Sequence, residues 1–447
     1  MNFDQVKSAL IAEADRRGLS EYDVYFMEAG STGAETLKDE ISSFSSGVRG
    51  GVSFRCMVNG RLGAAASELM EEDEMRALVA RAVQNAAVVE SDDPVVFYAG
   101  ARGYETPKLP ETEQPDAARL KSVALALQRT TYAASDAITD GTQSGTFATT
   151  VRRTLVNSHG LHLSDKTCAC GAYVQAVVEK DGEAQDAFDC CLGLAEEDMN
   201  KLAQNALNEA LSKIGAIEID SGKYDLIIQG KQMRSLLSTF SSVFSAKSAQ
   251  LGLSLLGGKE GTKIASEAVT LVDDPMRENA PAQAAFDGEG VPTKKKAVIE
   301  QGVLKTLLYD LATAAKVGKD STGNGQRKSY ASPVSIDPYS FYLEGGSISE
   351  DELKARLGDG IYLTELKGLH AGANDVTGDF SIESAGFLVK DGKLSTAVKS
   401  FTVAGNFFEL LQSIEALSDT VHFDASTGVT AYGSPDVLVR NMSVAGK

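Results

Sequence analysis

Four dipeptides, Asn59-Gly60, Asp181-Gly182, Gln301-Gly302 and Asp391-Gly392, each interrupt an apolar, strand-like run. A two-residue hairpin needs positive φ at both central positions, and glycine accepts this without a Cβ clash. A chain that reverses four times in this way must be rich in antiparallel sheet. Helical spacing falls between these hairpins. Residues 3–17 place Phe3, Val6, Leu10 and Ala14 on one side with Gly18 as a stop, and residues 71–90 repeat Met75, Leu78, Val79, Ala82, Val83 and Ala86. Further helices are predicted over 116–134, 196–213, 230–249, 310–317 and 406–417. Strands are predicted at 23–27, 35–44, 137–157, 167–178, 183–192, 224–228 and repeatedly beyond 268.

Pro107, Pro110 and Pro115 cluster in a chain with only ten prolines, and Gly215 and Ser221-Gly222 mark a second break. The expected domains are therefore an N-terminal α+β domain (1–106), a central helix/hairpin segment (107–221) and a β-rich C-terminal domain (222–447). The fold class is α+β: a mixed N-terminal domain, a central α/β segment and an antiparallel β-rich C-terminal domain. The 447 residues carry a formal charge of −19, which argues against direct nucleic-acid binding. No apolar run is long enough to span a membrane, and the N-terminus lacks a signal-peptide core, so a cytoplasmic location is expected.

The five cysteines are an odd number in a long chain, which argues against a disulfide framework. Cys168 and Cys170 lie two apart on a strand, and Cys190 and Cys191 are adjacent; without CxxC knuckles, all read as small buried thiols. His159 and His162 read as turn and strand residues. Two glycine-rich loops, FDGEGVPTKKK (286–296) and KDSTGNGQRKS (319–329), lack the GxxxxGK[ST] of a phosphate loop, and their glycines read as turn formers. Lys294, Lys295 and Lys296 read as a solvated strand.

VDDP at 272–275, the FDGEGVPT loop, IEQGVLKTLLYDLATAAKVG (299–318) and STGNGQRKSY (321–330) resemble the TldD/PmbA family, also called modulator of DNA gyrase. GLHAGANDVTGDFSIESAGFLVKDGKL (368–394), FTVAGNFFELL (401–411) and GVRGGVSFRCMVNGRLGAAAS (47–67) extend the resemblance over nearly the full length. It implies a zinc peptidase fold whose active members carry HExxxH on a helix and a cysteine near the C-terminus. Here that helix is MRSLLSTFSSVFSAKSAQ (233–250). Ser238 and Val243 stand at the two histidine positions, Thr239 stands at the general-base position, and no cysteine follows Cys191.

The residues themselves agree. Met233, Leu236, Leu237, Phe240, Val243 and Phe244 form one apolar stripe, with Ser238, Thr239, Ser241, Ser242 and Ser245 opposite. No thiolate, imidazole or carboxylate lies between Ser235 and Ala246. The resemblance thus implies the PmbA/TldE-like branch: no catalytic residue and no metal in this chain, with zinc held by an HExxxH-bearing TldD-type subunit that joins it in cleaving unfolded or small peptides. Homodimers of the isolated chain fit the same picture. Ser238, Thr239, Ser241, Ser242, His370, Asn324 and Arg327 are the candidates for lining a substrate chamber. Two other readings stay open: a hydrolase using other residues, such as a serine of this helix, and a stand-alone regulatory protein, for example of DNA gyrase.

Overall fold

The computed structural model describes residues 1–100, 103–108 and 114–447, so Pro110 of the expected linker lies outside the described residues. All four glycine-containing dipeptides adopt positive φ at both positions, from 47° to 54° at the first and 73° to 82° at the second. A fifth reversal has no glycine: Lys38 and Asp39, at φ 52° and 62°, turn the chain inside the stretch 35–44 that reads as a single strand.

The first part of the chain contributes helix α1 (Phe3–Arg16), strands β1 (Tyr22–Leu37), β2 (Glu40–Val58) and β3 (Arg61–Ser67), and helices α2 (Glu72–Val88) and α3 (Ala117–Ala134). Strands β4 (Gln143–Asn157), β5 (His162–Lys180) and β6 (Glu183–Leu192) and helix α4 (Glu196–Ser212) follow. The six strands form one antiparallel sheet in the order β3-β2-β1-β4-β5-β6. Strand β1 pairs with β4 from Asp23↔Asn157 to Leu37↔Gln143, so the N-terminal and central segments share a sheet.

Strand side chains alternate between faces, and here the alternation sorts chemistry as well as burial. The even residues Val24, Ala172, Val174 and Ala176 are buried against helices through Val6, Leu10, Met75, Leu127 and Leu202. The odd residues Asp23, Tyr25, Arg55 and Arg153 point to the opposite face and are also buried.

The C-terminal part runs β7 (Gly222–Ile228), α5 (Gly230–Thr239), α6 (Ala246–Gln250), β8 (Leu271–Asp274), β9 (Lys296–Glu300), β10 (Val303–Leu304) and α7 (Leu311–Lys316). It continues with β11 (Gly325–Gln326), β12 (Ser335–Ile336), β13 (Ser340–Leu343), α8 (Glu350–Leu357), β14 (Gly360–Lys367), α9 (Leu369–Gly372), β15 (Asp379–Lys390) and β16 (Lys393–Asn406). Helix α10 (Phe407–Ser413), β17 (Ile414–Leu417), β18 (His422–Phe423), β19 (Ala431–Ser434) and β20 (Val437–Ala445) close the chain.

Two six-stranded sheets result, β16-β15-β14-β7-β20-β17 and β10-β9-β8-β13-β19-β18. One core cluster draws Leu226 and Ile361 from the first sheet, Val298 and Phe341 from the second, Phe240 from the end of α5 and Phe407 from α10. The sheets are antiparallel except at β14–β7 and β13–β19. The expected helix 406–417 stops at Ser413 because Ile414–Leu417 pairs with β20. Among the described residues no helix is long and apolar enough to cross a membrane.

The thiols depart from expectation: Cys56 is buried, while Cys168, Cys170, Cys190 and Cys191 are only partly so. Cys168 and Cys170 line a cleft of about 930 Å³ with Lys108 and Gln283. Lys296 departs too. Its ammonium is buried and donates to Asp273 Oδ2 at 2.8 Å and Asn324 Oδ1 at 3.2 Å.

Candidate functional site

Helix α5 follows β7 directly, and its first N–H, from Gly230, donates to Asp436 Oδ1 at 2.7 Å. That carboxylate satisfies one of the free donors that every helix start presents. The apolar stripe is buried as its spacing requires: Met233, Leu236, Leu237, Phe240, Val243 and Phe244 are each at most 2 % exposed. Phe240 stacks on Phe407 with centroids 4.6 Å apart, and Phe244 meets Phe341 edge-on at 5.4 Å.

The helix does not run unbroken from Gly230 to Ala249, as the periodicity predicts. It ends at Thr239, gives way to a 3₁₀ turn over Ser241–Phe244, becomes extended at Ser245 and resumes as α6. The polar face supplies a reason. Ser235 Oγ donates to the Lys231 carbonyl at 3.0 Å, Thr239 Oγ1 to Ser235 at 2.9 Å and Ser241 Oγ to Ser238 at 2.9 Å. Hydroxyls that bond back onto carbonyls of the preceding turn compete with the helical ladder and bend it. Ser245, expected on the solvent face, is buried instead, since its extended backbone forms a bridge with Leu308.

Ser238 and Ser242 are exposed and Thr239 and Ser241 partly so, whereas Val243 is fully buried. A zinc ion does not fit here. One ligand position offers a lone hydroxyl, the other an alkyl group turned into the core, and the base position a hydroxyl already engaged with Ser235. The serines also lack the surroundings of nucleophiles: Ser242 Oγ donates to Asp375 Oδ2 at 3.1 Å, and among the described residues none of these hydroxyls bonds an imidazole. His370 is exposed on α9, which packs against α5. Glu350, His422 and Asp436 place three ligand-type atoms within 4.8 Å of one another at the start of α5. Their atoms are committed elsewhere: His422 Nε2 pairs with Glu350 Oε1 at 2.7 Å, and Asp436 accepts from Gly230 and from Tyr362 Oη at 2.8 Å.

The two glycine-rich loops meet each other and the odd face of the first sheet. Asn324 and Arg327, candidates for chamber lining, are 0 % and 4 % exposed and so do not reach a solvent-filled space. Asn324 Nδ2 donates to Asp273 Oδ2 at 2.8 Å, and Arg327 Nη2 donates to Asp23 Oδ2 at 2.6 Å. Arg55 Nε also donates to Asp23, at 3.0 Å and 3.1 Å, and Arg153 Nε donates to Asp165 at 3.0 Å. The carboxylates of Asp287 and Glu289 descend from the 286–296 loop into the same region, Asp287 accepting the backbone N–H groups of Glu289, Val291 and Gly325.

Two glycines serve close approach there, beyond the turns expected of these loops. A Cβ on Gly288 would meet Arg327 Cγ and the Gly325 carbonyl at 2.8 Å, and one on Gly325 would meet Glu289 Oε2 at 2.6 Å.

Burial raises the pKa of Asp23, but the Arg327 and Arg55 guanidinia more than offset it and leave the carboxyl below its ordinary value. Burial lifts Asp287 and Glu289 above the ordinary carboxylate range, and in Glu289 the nearby Asp287 adds to it. Sequence spacing does not reveal this cluster because its members come from six separate stretches, around residues 23, 55, 153–165, 273, 287–289 and 324–327. The only signal was the concentration of glycine and charge in the two loops.

Known proteins share this architecture along nearly the whole chain. The first, central and C-terminal domains of the PmbA/TldA metallopeptidases match residues 22–86, 110–214 and 221–446. A metalloprotease of Methanocaldococcus jannaschii is 25% identical over 412 residues, covering 89% of both chains. A Thermotoga maritima protein, described as a candidate modulator of a DNA gyrase, superposes with a TM-score of 0.89 at 27% identity, over 99% of this chain and 100% of its own. TldE from Thermococcus kodakarensis shares the fold with a TM-score of 0.89 at 24% identity and the same coverage. With its C-terminal domain model alone spanning just over half the sequence, the chain belongs to the PmbA/TldD metallopeptidase family.

Proposed function

We propose that this chain is the non-catalytic subunit of a two-chain zinc peptidase, enclosing part of the chamber in which its partner cleaves unfolded or small peptides. The observation that carries the reading is the state of the α5 positions. Val243 is 0 % exposed where a histidine ligand would stand, and Thr239 is spent on the Ser235 carbonyl where the general base would stand. A metal-bound water cannot be activated without ligands to hold the metal. The exposed remainder of that face, with Ser238 and Ser242, is left to shape the chamber.

The zinc-bearing partner carries HExxxH, and this chain contributes no metal of its own. The test is a peptidase assay on this chain alone, on an HExxxH-bearing TldD-type subunit alone, and on the mixture, with co-migration followed by size exclusion. Hydrolysis is expected in the mixture, blocked by chelators and by mutation of the partner's motif. Cleavage by this chain alone, lost in Ser238→Ala or Thr239→Ala, would overturn the proposal in favour of a hydrolase acting through the α5 hydroxyls.

A further inference from the structure

Arginines in this acidic chain readily find carboxylates: buried Arg55, Arg153 and Arg327 all pair with aspartate. Arg234 and Arg277 do not. Among the described residues, Arg234 donates Nη1 only to the Phe423 carbonyl, and Arg277 donates Nε to Ser340 Oγ at 3.0 Å while its guanidinium lies 3.7 Å from the Phe423 ring centre. Both are half-buried, and among the described residues neither has a carboxylate oxygen within ion-pair distance. Their remaining N–H groups are not sealed in the protein; none is among the buried atoms without a partner.

The carboxylates nearby, Asp424 and Asp274, lie beyond ion-pair distance of both arginines. Asp424 accepts the Tyr432 N–H at 3.2 Å through Oδ2, while its Oδ1 is buried with no partner; Asp274 lies 3.8 Å from Lys295 Nζ. Desolvation lowers the pKa of both arginines, and the opposing fields of Asp424 on both, of Asp189 on Arg234 and of Asp274 on Arg277 offset this only in part.

The pair also lies beside the polar face of α5 that is read above as a chamber wall. Arg234 is one helical turn before exposed Ser238 on the polar face of α5. Tyr432, whose backbone bonds Asp424, donates through its hydroxyl to Ser241 Oγ at 3.1 Å on the same side. A guanidinium presents parallel N–H donors that match a carboxylate, and one stacked on an aromatic ring keeps its edge free for this.

We propose that Arg234 and Arg277 form a carboxylate-binding site flanking Phe423, which anchors an acidic group of a peptide held beside α5. It rests on the reading of α5 as a chamber wall and adds the chemical class of substrate. The carboxylate belongs to an acidic side chain or to a peptide C-terminus.

The experiment uses the purified full chain and three probes, followed by calorimetry and NMR: acetyl-tetraalanine with a free C-terminus, its C-terminal amide, and that amide with one internal glutamate. One of the two acidic probes should bind about tenfold more tightly than the neutral amide at low salt, as for a charge-assisted hydrogen bond. Which one does so identifies the source of the carboxylate. The preference should vanish in Arg234→Gln/Arg277→Gln and weaken in Arg234→Lys/Arg277→Lys, which keeps the charge and loses the planar fork.

Equal binding of the three probes, binding of none, or a preference that survives the glutamine pair would overturn the proposal. The peptidase assay of the mixture is scored separately. Hydrolysis without acid preference removes this site and keeps the chamber, whereas acid preference without hydrolysis does the reverse.

Discussion

Arg327 donates a hydrogen bond from Nη2 to Asp23 Oδ2 at 2.6 Å, across 304 residues of sequence, and so joins a C-terminal loop to the first strand of the N-terminal sheet. The bond is asymmetric in what each partner risks. Asp23 also holds Arg55, whereas Arg327 leaves Nε and Nη1 buried without partners and rests its guanidinium 4.6 Å from the centre of the Tyr25 ring. Removing Asp23 strands Arg327 and leaves Arg55 only Glu289 Oε1 at 3.9 Å, while removing Arg327 leaves Asp23 neutralised by Arg55. Asp23→Ala is therefore expected to cost about 3–5 kcal/mol and Arg327→Met about 1–3 kcal/mol in denaturant titration. Equal costs, or the reverse order, would refute this account of the contact.

The carboxylates beneath the same loops predict a pH dependence. Burial, with Asp287 nearby, pushes the Glu289 pKa up to about 8, far above an unfolded glutamate. Between the unfolded pKa near 4.3 and this raised value the folded state holds a proton that the unfolded state has released, so the contribution of Glu289 to stability falls as pH rises across that window. Glu289→Gln keeps the protonated shape and cannot ionise. Its unfolding free energy between about pH 5 and pH 8 should decline less steeply than that of the native chain. Parallel pH profiles for the two proteins would show that Glu289 ionises in the fold as readily as in the unfolded chain.

Phe240 and Ser242, two residues apart, should behave as opposites. Phe240 is 0 % exposed and packed on Phe407 and Phe380, so Phe240→Ala should cost about 3–5 kcal/mol. Ser242 is exposed and, among the described residues, its hydroxyl bonds only Asp375, so Ser242→Ala should cost under about 1 kcal/mol. Thermal and denaturant unfolding of both variants checks the ordering.

These features differ in how far the sequence discloses them. The hairpins at 59–60, 181–182, 301–302 and 391–392 were legible because glycine marks a backbone requirement locally. The Lys38-Asp39 turn was not, because its positive φ is imposed by the pairing of β1 with β2 and carries no residue signature. The burial of the α5 stripe was legible from 3.6-residue spacing. Its break after Thr239 was not, since a run of hydroxyls specifies which bonds are possible and leaves the choice between ladder and side chain to packing. Ser245 is buried against its helical spacing for that reason. Asn324 and Arg327, expected to line a chamber, are buried instead, because Asp273, Asp337 and Asp23, which hold them, come from other strands and loops and leave no mark on the local sequence.

The break in α5 leads to a last prediction. HExxxH spaces its histidines five residues apart, and five residues of regular helix rotate by about 140°, so the two cannot share one helical face. In this chain the second position lies past the break, in the 3₁₀ turn, with Val243 directed into the core beside Phe244. Installing the motif by Ser238→His, Thr239→Glu and Val243→His should therefore fail to create a tight zinc site. The imidazole at 243 would replace an alkyl group in an apolar core without a hydrogen-bond partner, costing about 1–3 kcal/mol. The imidazole at 238 would stand at the surface, and no cysteine follows Cys191 to complete the ligand set. The expected result is a destabilised chain with substoichiometric zinc by native mass spectrometry and no zinc-dependent rise in Tm. One tightly held zinc per chain, with Tm rising on its addition, would show that the backbone after Thr239 is still arranged to present both ligands and that only the side chains have changed.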